Sequence, residues 1–424
     1  MGQTQAYRSC VAVIGGATAG AEVADKLAAS GALCVVFEQN DRPYGKVEDG
    51  LPRWHVALRR KEYDLIDSKL AREGVMFVPR TGIGRDISFS ELVEKWGFDT
   101  IVLANGAWRD RSFPVPGADA YVNRGLVYQN PFIYWFNHYR EPGYHGPRYD
   151  IDQDAAVIGG GLASIDVVKV LQLEMACRAL EKRGIRADLV DVEVDGIPET
   201  LARHGLAWDD LGVKPCTLYY RRRIEDMPLA EAPENATPEQ IKKTEGVRRR
   251  ILEKAQSKYR FNVEPLSTPT GLVTDGDRLF GLRMSRTRID ESGRAVVVQG
   301  QDWEIRPSLV ISSIGSIPEP IEGLQMDGEL LRLEDFDHGK VANYDHVFGC
   351  GNVVTGKGNL VASRKHSAKV AAFLVARPES ARGEDARGEI AERLVQLVRD
   401  RQRLVGFDGD FKAWMDRVKP EGFA

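Results

Sequence analysis

The sequence predicts an α/β chain carrying two dinucleotide-binding (Rossmann-like) domains, and two glycine turns carry that prediction. Gly15-Gly16-Ala17-Thr18-Ala19-Gly20 and Gly159-Gly160-Gly161-Leu162-Ala163-Ser164 each follow a short apolar strand and open a helix. Small residues at such a turn let the backbone approach a pyrophosphate, whose charge the helix N-terminus stabilises. A third observation is length: 424 residues leave room for two or three domains, each with its own core.

The first turn is read from the strand that feeds it. Cys10 to Ile14 is a fully apolar run of the kind buried in a parallel sheet, and Ala19 to Ser30 spaces small and apolar residues as a helix packed on that sheet does. A second apolar strand, Leu33 to Phe37, ends at Glu38 followed by Gln39, where an acid can accept hydrogen bonds from ribose hydroxyls. Ala17 replaces the central glycine of the usual fingerprint and adds a Cβ near the pyrophosphate. Two dinucleotides on one chain point to a flavin reduced by a nicotinamide.

The second turn is fed by Ala155 to Ile158 and opens a helix near Leu162 that carries Asp166 and Lys169. No acid ends the next strand; Thr217-Leu218-Tyr219-Tyr220 runs instead into Arg221-Arg222-Arg223. Guanidinium groups bind a 2′-phosphate bidentately, whereas a carboxylate binds a free ribose diol and repels that phosphate. An arginine run at this place suits a 2′-phosphate better than a free ribose diol. Ser164 stands where the fingerprint's last glycine is expected.

Composition bounds the rest. A net charge of −4 gives nucleic acid no support as a partner, and no apolar run reaches the roughly 18–20 residues a bilayer span needs. The N-terminus has no secretory apolar region, so a cytoplasmic protein with no membrane association is expected. Five cysteines, Cys10, Cys34, Cys177, Cys216 and Cys350, stand singly without metal-ligand or C-x-x-C spacing. They read as small buried hydrophobes, which excludes a redox-active dithiol and an iron–sulfur centre ligated by this chain; no metal site is expected.

Several segments in order resemble one family. Asp41-Arg42-Pro43-Tyr44-Gly45-Lys46 and Gly50-Leu51-Pro52 resemble the stretch that runs past the flavin in adrenodoxin reductases and in the glutamate synthase small chain. Gly82 to Ile87, containing Ile83, and the strand Thr100 to Leu103 leading to Ala104-Asn105-Gly106-Ala107 are similar too, with Asn105 in place of the usual Thr. Tyr220-Arg221-Arg222 followed at a distance by Met227-Pro228 is close to the small-chain pattern. The segment from Leu173 to Pro215 resembles the longer insertion of adrenodoxin reductases.

That resemblance, over roughly residues 10 to 375, implies the remaining assignments. Leu309 to Gly315 returns the chain from the NADPH domain to the FAD domain, so the NADPH domain is inserted in a discontinuous FAD domain: 1–112 and 317–424 around 113–316. Gly351 and Asn352, then Gly358, Asn359 and Leu360 at a helix start, close the flavin site, with Asn352 replacing an acid. The implied site is thus Gly15, Ala17, Thr18, Ala19, Gly20, Glu38, Gln39, Tyr44, Gly45, Lys46, Ile83, Ala104, Asn105, Gly106, Gly351, Asn352, Gly358, Asn359 and Leu360 for FAD. For NADP it is Gly159, Gly161, Leu162, Ala163, Arg221 and Arg222, with Gly315 at the crossing.

The implied activity is an FAD-dependent NADPH oxidoreductase that delivers electrons to a separate ferredoxin-like iron–sulfur carrier. No catalytic side chain is nominated, because the flavin supplies the chemistry. An electron-input subunit of a larger complex, and a flavoenzyme that reduces a small organic substrate directly, are the alternatives. Arg248-Arg249-Arg250 with Lys242, Lys243, Lys254 and Lys258 is a candidate docking stripe for an acidic carrier. Glu384 to Leu404 reads as a charged amphipathic helix, for a homo-oligomer contact or for packing on the flavin domain.

Overall fold

The computed structural model describes residues 7–151, 153–233, 235–356, 358–377 and 383–419. Residues 1–6, on which the absence of a leader was read, lie outside the described residues. The chain divides into two compact units, Met1–Arg109 with Ser316–Ala424, and Asp110–Gly315.

The first unit is built on a seven-stranded sheet in the order Leu333–Asp335, Lys340–Val341, Val347–Gly349, Thr100–Leu103, Cys10–Ile14, Leu33–Phe37, Val75–Val78. From Val347–Gly349 onward the neighbours run parallel. Cys10–Ile14 is buried throughout because both faces of the sheet are covered, which is why its sequence is an unbroken apolar run. One face packs Val11, Val13 and Val36 against Val23 and Leu27 of helix Thr18–Ala29 and Val370 of helix Leu360–Ala376. The other packs Ala12, Ile14 and Val35 against Leu92, Trp96 and two residues of helix Glu384–Leu404, Leu394 and Val398.

That last contact shows helix Glu384–Leu404 packed on its own unit. Gln402 donates from Nε2 to the Phe77 carbonyl (2.7 Å) and Arg401 from Nε to Thr81 Oγ1 (2.9 Å), so its polar residues are tied down as well. Truncating the buried Leu394 to Ala would cost roughly 2–5 kcal/mol.

Register sets the site. Ile14 is level with Phe37 on one side and Leu103 on the other, and Leu103 with Gly349. The residues that follow, Gly15, Glu38, Ala104 and Cys350, therefore leave the sheet at one edge, where ligands of open α/β sheets bind.

The second unit holds a five-stranded parallel sheet in the order Leu126–Tyr128, Val310–Ser313, Ala156–Gly159, Thr217–Tyr220, Asn262–Pro265. Helix Leu162–Glu181 follows Ala156–Gly159 directly. The unit also carries a three-stranded antiparallel sheet of Ser267–Asp275, Arg278–Ile289 and Ala295–Ile305, for which the sequence reading has no counterpart. Its Leu279, Leu282 and Met284 complete a core with Leu126, Ile158 and Val310.

The insertion forms helices Leu189–Asp195 and Ile197–Ala202, the first tied to helices Leu162–Glu181 and Pro238–Tyr259 through Glu193. Lys169 pairs with Glu193 (2.7 Å), and the Tyr259 hydroxyl donates to the same carboxylate (2.7 Å). The five cysteines are free thiols, four of them buried, and burial pushes Cys350 up to about 12. Among the described residues no helix is long and apolar enough to cross a membrane.

Candidate functional site

The first glycine turn is dictated by close packing. Gly15 has φ +98°, and a Cβ there would stand 2.7 Å from the Ala104 carbonyl oxygen. At Gly20 it would stand 1.8 Å from the Gly15 carbonyl oxygen, so the helix can start against the turn only with glycine. Helix Thr18–Ala29 begins at Ala17, whose extended backbone caps it without a side chain, and its first turn carries no acid. Its N-terminus is left to an anion.

A cavity of about 490 Å³ lies at this edge of the sheet. Eight of the sequence-assigned residues line it: Gly15, Ala17, Glu38, Gln39, Gly45, Ile83, Ala104 and Asn105. Glu38 is buried, accepting from the Gly16 N–H at Oε2 (2.9 Å) and from the Asn40 N–H at Oε1 (3.0 Å). Burial pushes it up to about 7, against the pull of those two donors. Of the buried polar side-chain atoms without a hydrogen-bond partner, two lie here: Thr18 Oγ1 in the helix's first turn and Asn105 Oδ1 on the cavity wall. Buried polar groups are nearly always hydrogen-bonded, so these two atoms fit a ligand that supplies the partner. A glycine cradle, a helix N-terminus, a carboxylate and two orphaned oxygens together suit a dinucleotide.

The other assigned residues lie elsewhere. Tyr44 is fully buried with its hydroxyl on Asp67 (2.9 Å), so only its neighbour Gly45 reaches the cavity. Lys46 donates to Ser316 Oγ (3.1 Å) and lies 5.7 Å from the ring centroid of Trp108, a cavity residue. Gly106 is in the turn between Asn105 and Trp108. Gly351 abuts the helix start: a Cβ there would come within 2.6 Å of Ala19 Cβ. Asn352 spends its side-chain oxygen on the Gly358 N–H (2.7 Å), and Asn359 caps helix Leu360–Ala376 by accepting from the Ala362 N–H (2.7 Å). Neither lines the cavity. Gly315 ends the second unit, its carbonyl taken by the Arg111 N–H (3.0 Å).

Residues outside the assigned set also wall the cavity. Phe37, Thr81, Gly82, Gly84, Arg85 and Trp108 join it, as does the run Glu319-Pro320-Ile321-Glu322. The Gly82–Ile87 segment was legible as a motif, but its arginine was not singled out. The 319–322 run lies more than two hundred residues beyond the turn it faces.

In the second unit, Gly159 again needs to be glycine: a Cβ would meet the Ser313 carbonyl oxygen at 2.2 Å. Ser164 is fully buried and donates from Oγ to that carbonyl (2.9 Å), tying the helix to the neighbouring strand. The substitution thus replaces close helix–strand packing with a hydrogen bond. Over Gly160 lies the Tyr220 ring, 2.2 Å from where a Cβ would be. Leu162, 54 % exposed, and exposed Ala163 leave the N-terminus of helix Leu162–Glu181 uncovered, and its first turn has no acid. Arg221 is exposed and Arg222 half-buried, at the end of the adjacent strand.

One expectation is revised. Arg248 of the candidate docking stripe turns inward, donating from Nε to the Ala230 carbonyl (2.9 Å) and from Nη1 to the Glu225 carbonyl (2.9 Å). It braces the loop after the arginines, and Arg249 pairs with Glu225.

No family profile matches the chain. It is 26% identical over 366 residues to the glutamate synthase [NADPH] small chain of Mycobacterium tuberculosis, covering 83% of this chain and 63% of that one. It is 24% identical over 354 residues to the mitochondrial NADPH:adrenodoxin oxidoreductase of Arabidopsis thaliana, covering 75% and 69%. The chain thus spans about 63% of the length of the Mycobacterium tuberculosis small chain. Among solved structures, Mycobacterium tuberculosis FprA superposes with a TM-score of 0.70 as the His57Gln mutant and 0.68 in complex with NADPH. The identities are 18% and 17%, and each covers 93% of this chain and 90% of the other. The resemblance read from the segments 41–52, 82–87 and 100–107 and from the Tyr-Arg-Arg run is borne out: this chain has homologues among the glutamate synthase small chains and the NADPH:adrenodoxin oxidoreductases, and it shares the FprA fold.

Proposed function

We propose that this chain is an FAD-dependent NADPH oxidoreductase that passes electrons to a separate ferredoxin-like iron–sulfur carrier. The observation that carries this reading is the pair of glycine-cradled helix N-termini, one backed by a cavity lined by Glu38 and the orphaned Asn105 oxygen, the other beside Arg221 and Arg222. FAD, when bound, supplies the hydride-accepting and single-electron chemistry. The chain's part is to hold and orient. The first turn and the N-terminus of helix Thr18–Ala29 offer N–H groups to the pyrophosphate, and Glu38 accepts from ribose hydroxyls. Asn105 and Thr18 contribute the buried polar atoms. Gly159 to Ala163 receive the nicotinamide dinucleotide, whose 2′-phosphate falls to the arginines.

Purified protein is expected to be yellow, with one releasable FAD per chain, and to reduce cytochrome c with NADPH only when a ferredoxin is added. A colourless protein that cannot be reconstituted with flavin overturns the reading. The likeness to proteins named as small chains supports a second reading, an electron-input subunit of a larger complex. NADPH oxidation with an artificial acceptor, but with no member of a ferredoxin panel, would favour that reading over the first.

A further inference from the structure

Two of the three arginines that end strand Thr217–Tyr220 are already paired. Arg223 grips the Asp226 carboxylate through Nε (3.1 Å to Oδ2) and Nη2 (2.9 Å to Oδ1), and Arg222 Nε lies 3.6 Å from Oδ2. Arg222 also donates from Nη1 to the Gly293 carbonyl (2.6 Å). Among the described residues, only the Arg221 guanidinium of the three has no hydrogen bond or ion pair; its carbonyl accepts from Thr287 Oγ1 (2.7 Å).

Asp226 is held in place from its backbone. The Tyr220 hydroxyl donates to its carbonyl (3.0 Å), the Arg248 guanidinium fixes the carbonyls of Glu225 and Ala230 on either side, and its side chain is only 13% exposed. A carboxylate gripped through two guanidinium nitrogens presents the charge and oxygen spacing of one edge of a phosphate monoester. An incoming phosphate dianion on Arg221 and Arg222 and this carboxylate would share the Arg222 charge, and they repel each other.

We propose that Asp226 is an internal counter-charge with which the 2′-phosphate of the nicotinamide dinucleotide competes, making it a specificity-determining residue of the second site. The inference rests on the assignment of Arg221 and Arg222 to that phosphate. It implies that the phosphate meets Arg221 unpaired among the described residues, and Arg222 with its charge already shared with Asp226. The preference for phosphorylated over unphosphorylated ligand is then held below what three arginines could give.

The test is calorimetric titration of the full chain with 2′,5′-ADP and with 5′-ADP, which lacks the 2′-phosphate. Asp226→Asn is expected to tighten 2′,5′-ADP about three- to tenfold and to change 5′-ADP by less than about twofold. In an Arg222→Gln background the same change should gain less than about twofold on 2′,5′-ADP, because the contested donor is gone. Equal or weaker 2′,5′-ADP binding by Asp226→Asn overturns the inference, as does an equal gain on both ligands. The same gain without Arg222 also overturns it, since Asp226 would then act only as a nearby charge. If neither protein binds 2′,5′-ADP, the dinucleotide reading fails and the inference with it; binding by both with one affinity removes the inference alone. Should Asp226→Asn not fold, judged by its melting curve, Asp226→Ser removes the same charge.

Discussion

The two glycine turns share a local solution and differ in what surrounds it. At each, a strand ends against the backbone of a parallel neighbour so tightly that a Cβ cannot enter, at 2.7 Å from Ala104 O for Gly15 and 2.2 Å from Ser313 O for Gly159. The first turn is then walled by Glu38, Asn105, Trp108 and the 319–322 run, while the second is bordered by exposed Leu162 and Ala163 and by arginines. Enclosure suits a cofactor that stays, and an open basic edge suits one that exchanges. The turn alone does not choose between them; residues far off in sequence do.

The sharpest way to break this comparison is to damage the turns separately. Gly15→Ala forces an L residue to φ +98° against a carbonyl and should cost about 2–4 kcal/mol of stability with loss of retained flavin. Gly159→Ala should instead leave flavin absorbance intact and abolish NADPH-driven bleaching. Flavin loss from both variants would mean that the two turns serve one ligand.

Next in size is the pH response of the first site. Glu38 lies up at about 7 through burial, against an ordinary value of 4.5, so between those values the unfolded chain loses a proton that the native state keeps. Stability of flavin-free protein should therefore fall as pH rises from about 4.5 to about 7, by at most about 3 kcal/mol in urea melts. Glu38→Gln should flatten that slope. Bound FAD should flatten it too, since ribose hydroxyls donating to the carboxylate favour its charged form. An unchanged slope in the Gln variant would detach Glu38 from the effect.

Much of this contrast was legible in the sequence, and for a physical reason. Strand, turn, helix and terminal acid follow one another within thirty residues, so Cys10–Ile14, the Gly15 turn and Glu38 announce themselves through local packing needs. Residues 319–322 do not, because they reach the cavity through tertiary folding and carry no periodicity. The antiparallel sheet of 267–305 escaped for a related reason: its strands alternate buried and exposed positions only in part. Asp226 was within the motif that was read, but charge pairing with Arg222 and Arg223 depends on a turn geometry that spacing does not encode.

The open site can be sharpened by its arginines. Arg221→Ala removes the unpaired cation and should weaken 2′,5′-ADP about tenfold, or about 1.4 kcal/mol, with little change for 5′-ADP. Arg222→Ala should weaken it less, about threefold, because that side chain is already shared with Gly293 and Asp226. The reverse order would mean that Asp226 yields Arg222 freely when phosphate binds.

The smallest effect isolates the remaining difference between the turns, glycine at position 20 and serine at 164. At Gly20 nothing but hydrogen fits, whereas Ser164 fits because its hydroxyl bridges to Ser313 O at 2.9 Å. Ser164→Ala keeps the volume and loses the bridge, at a cost of about 1 kcal/mol. That corresponds to a melting temperature lower by about 2–4 °C in a unit of this size. Ser164→Gly loses the bridge and also loosens the helix, so it should cost somewhat more, although it restores the common fingerprint. Both should bind NADPH as the parent does, because the hydroxyl is spent on the strand and faces no ligand. A weaker Kd at an unchanged melting temperature would place Ser164 in contact with the dinucleotide and make the second turn as specialised as the first.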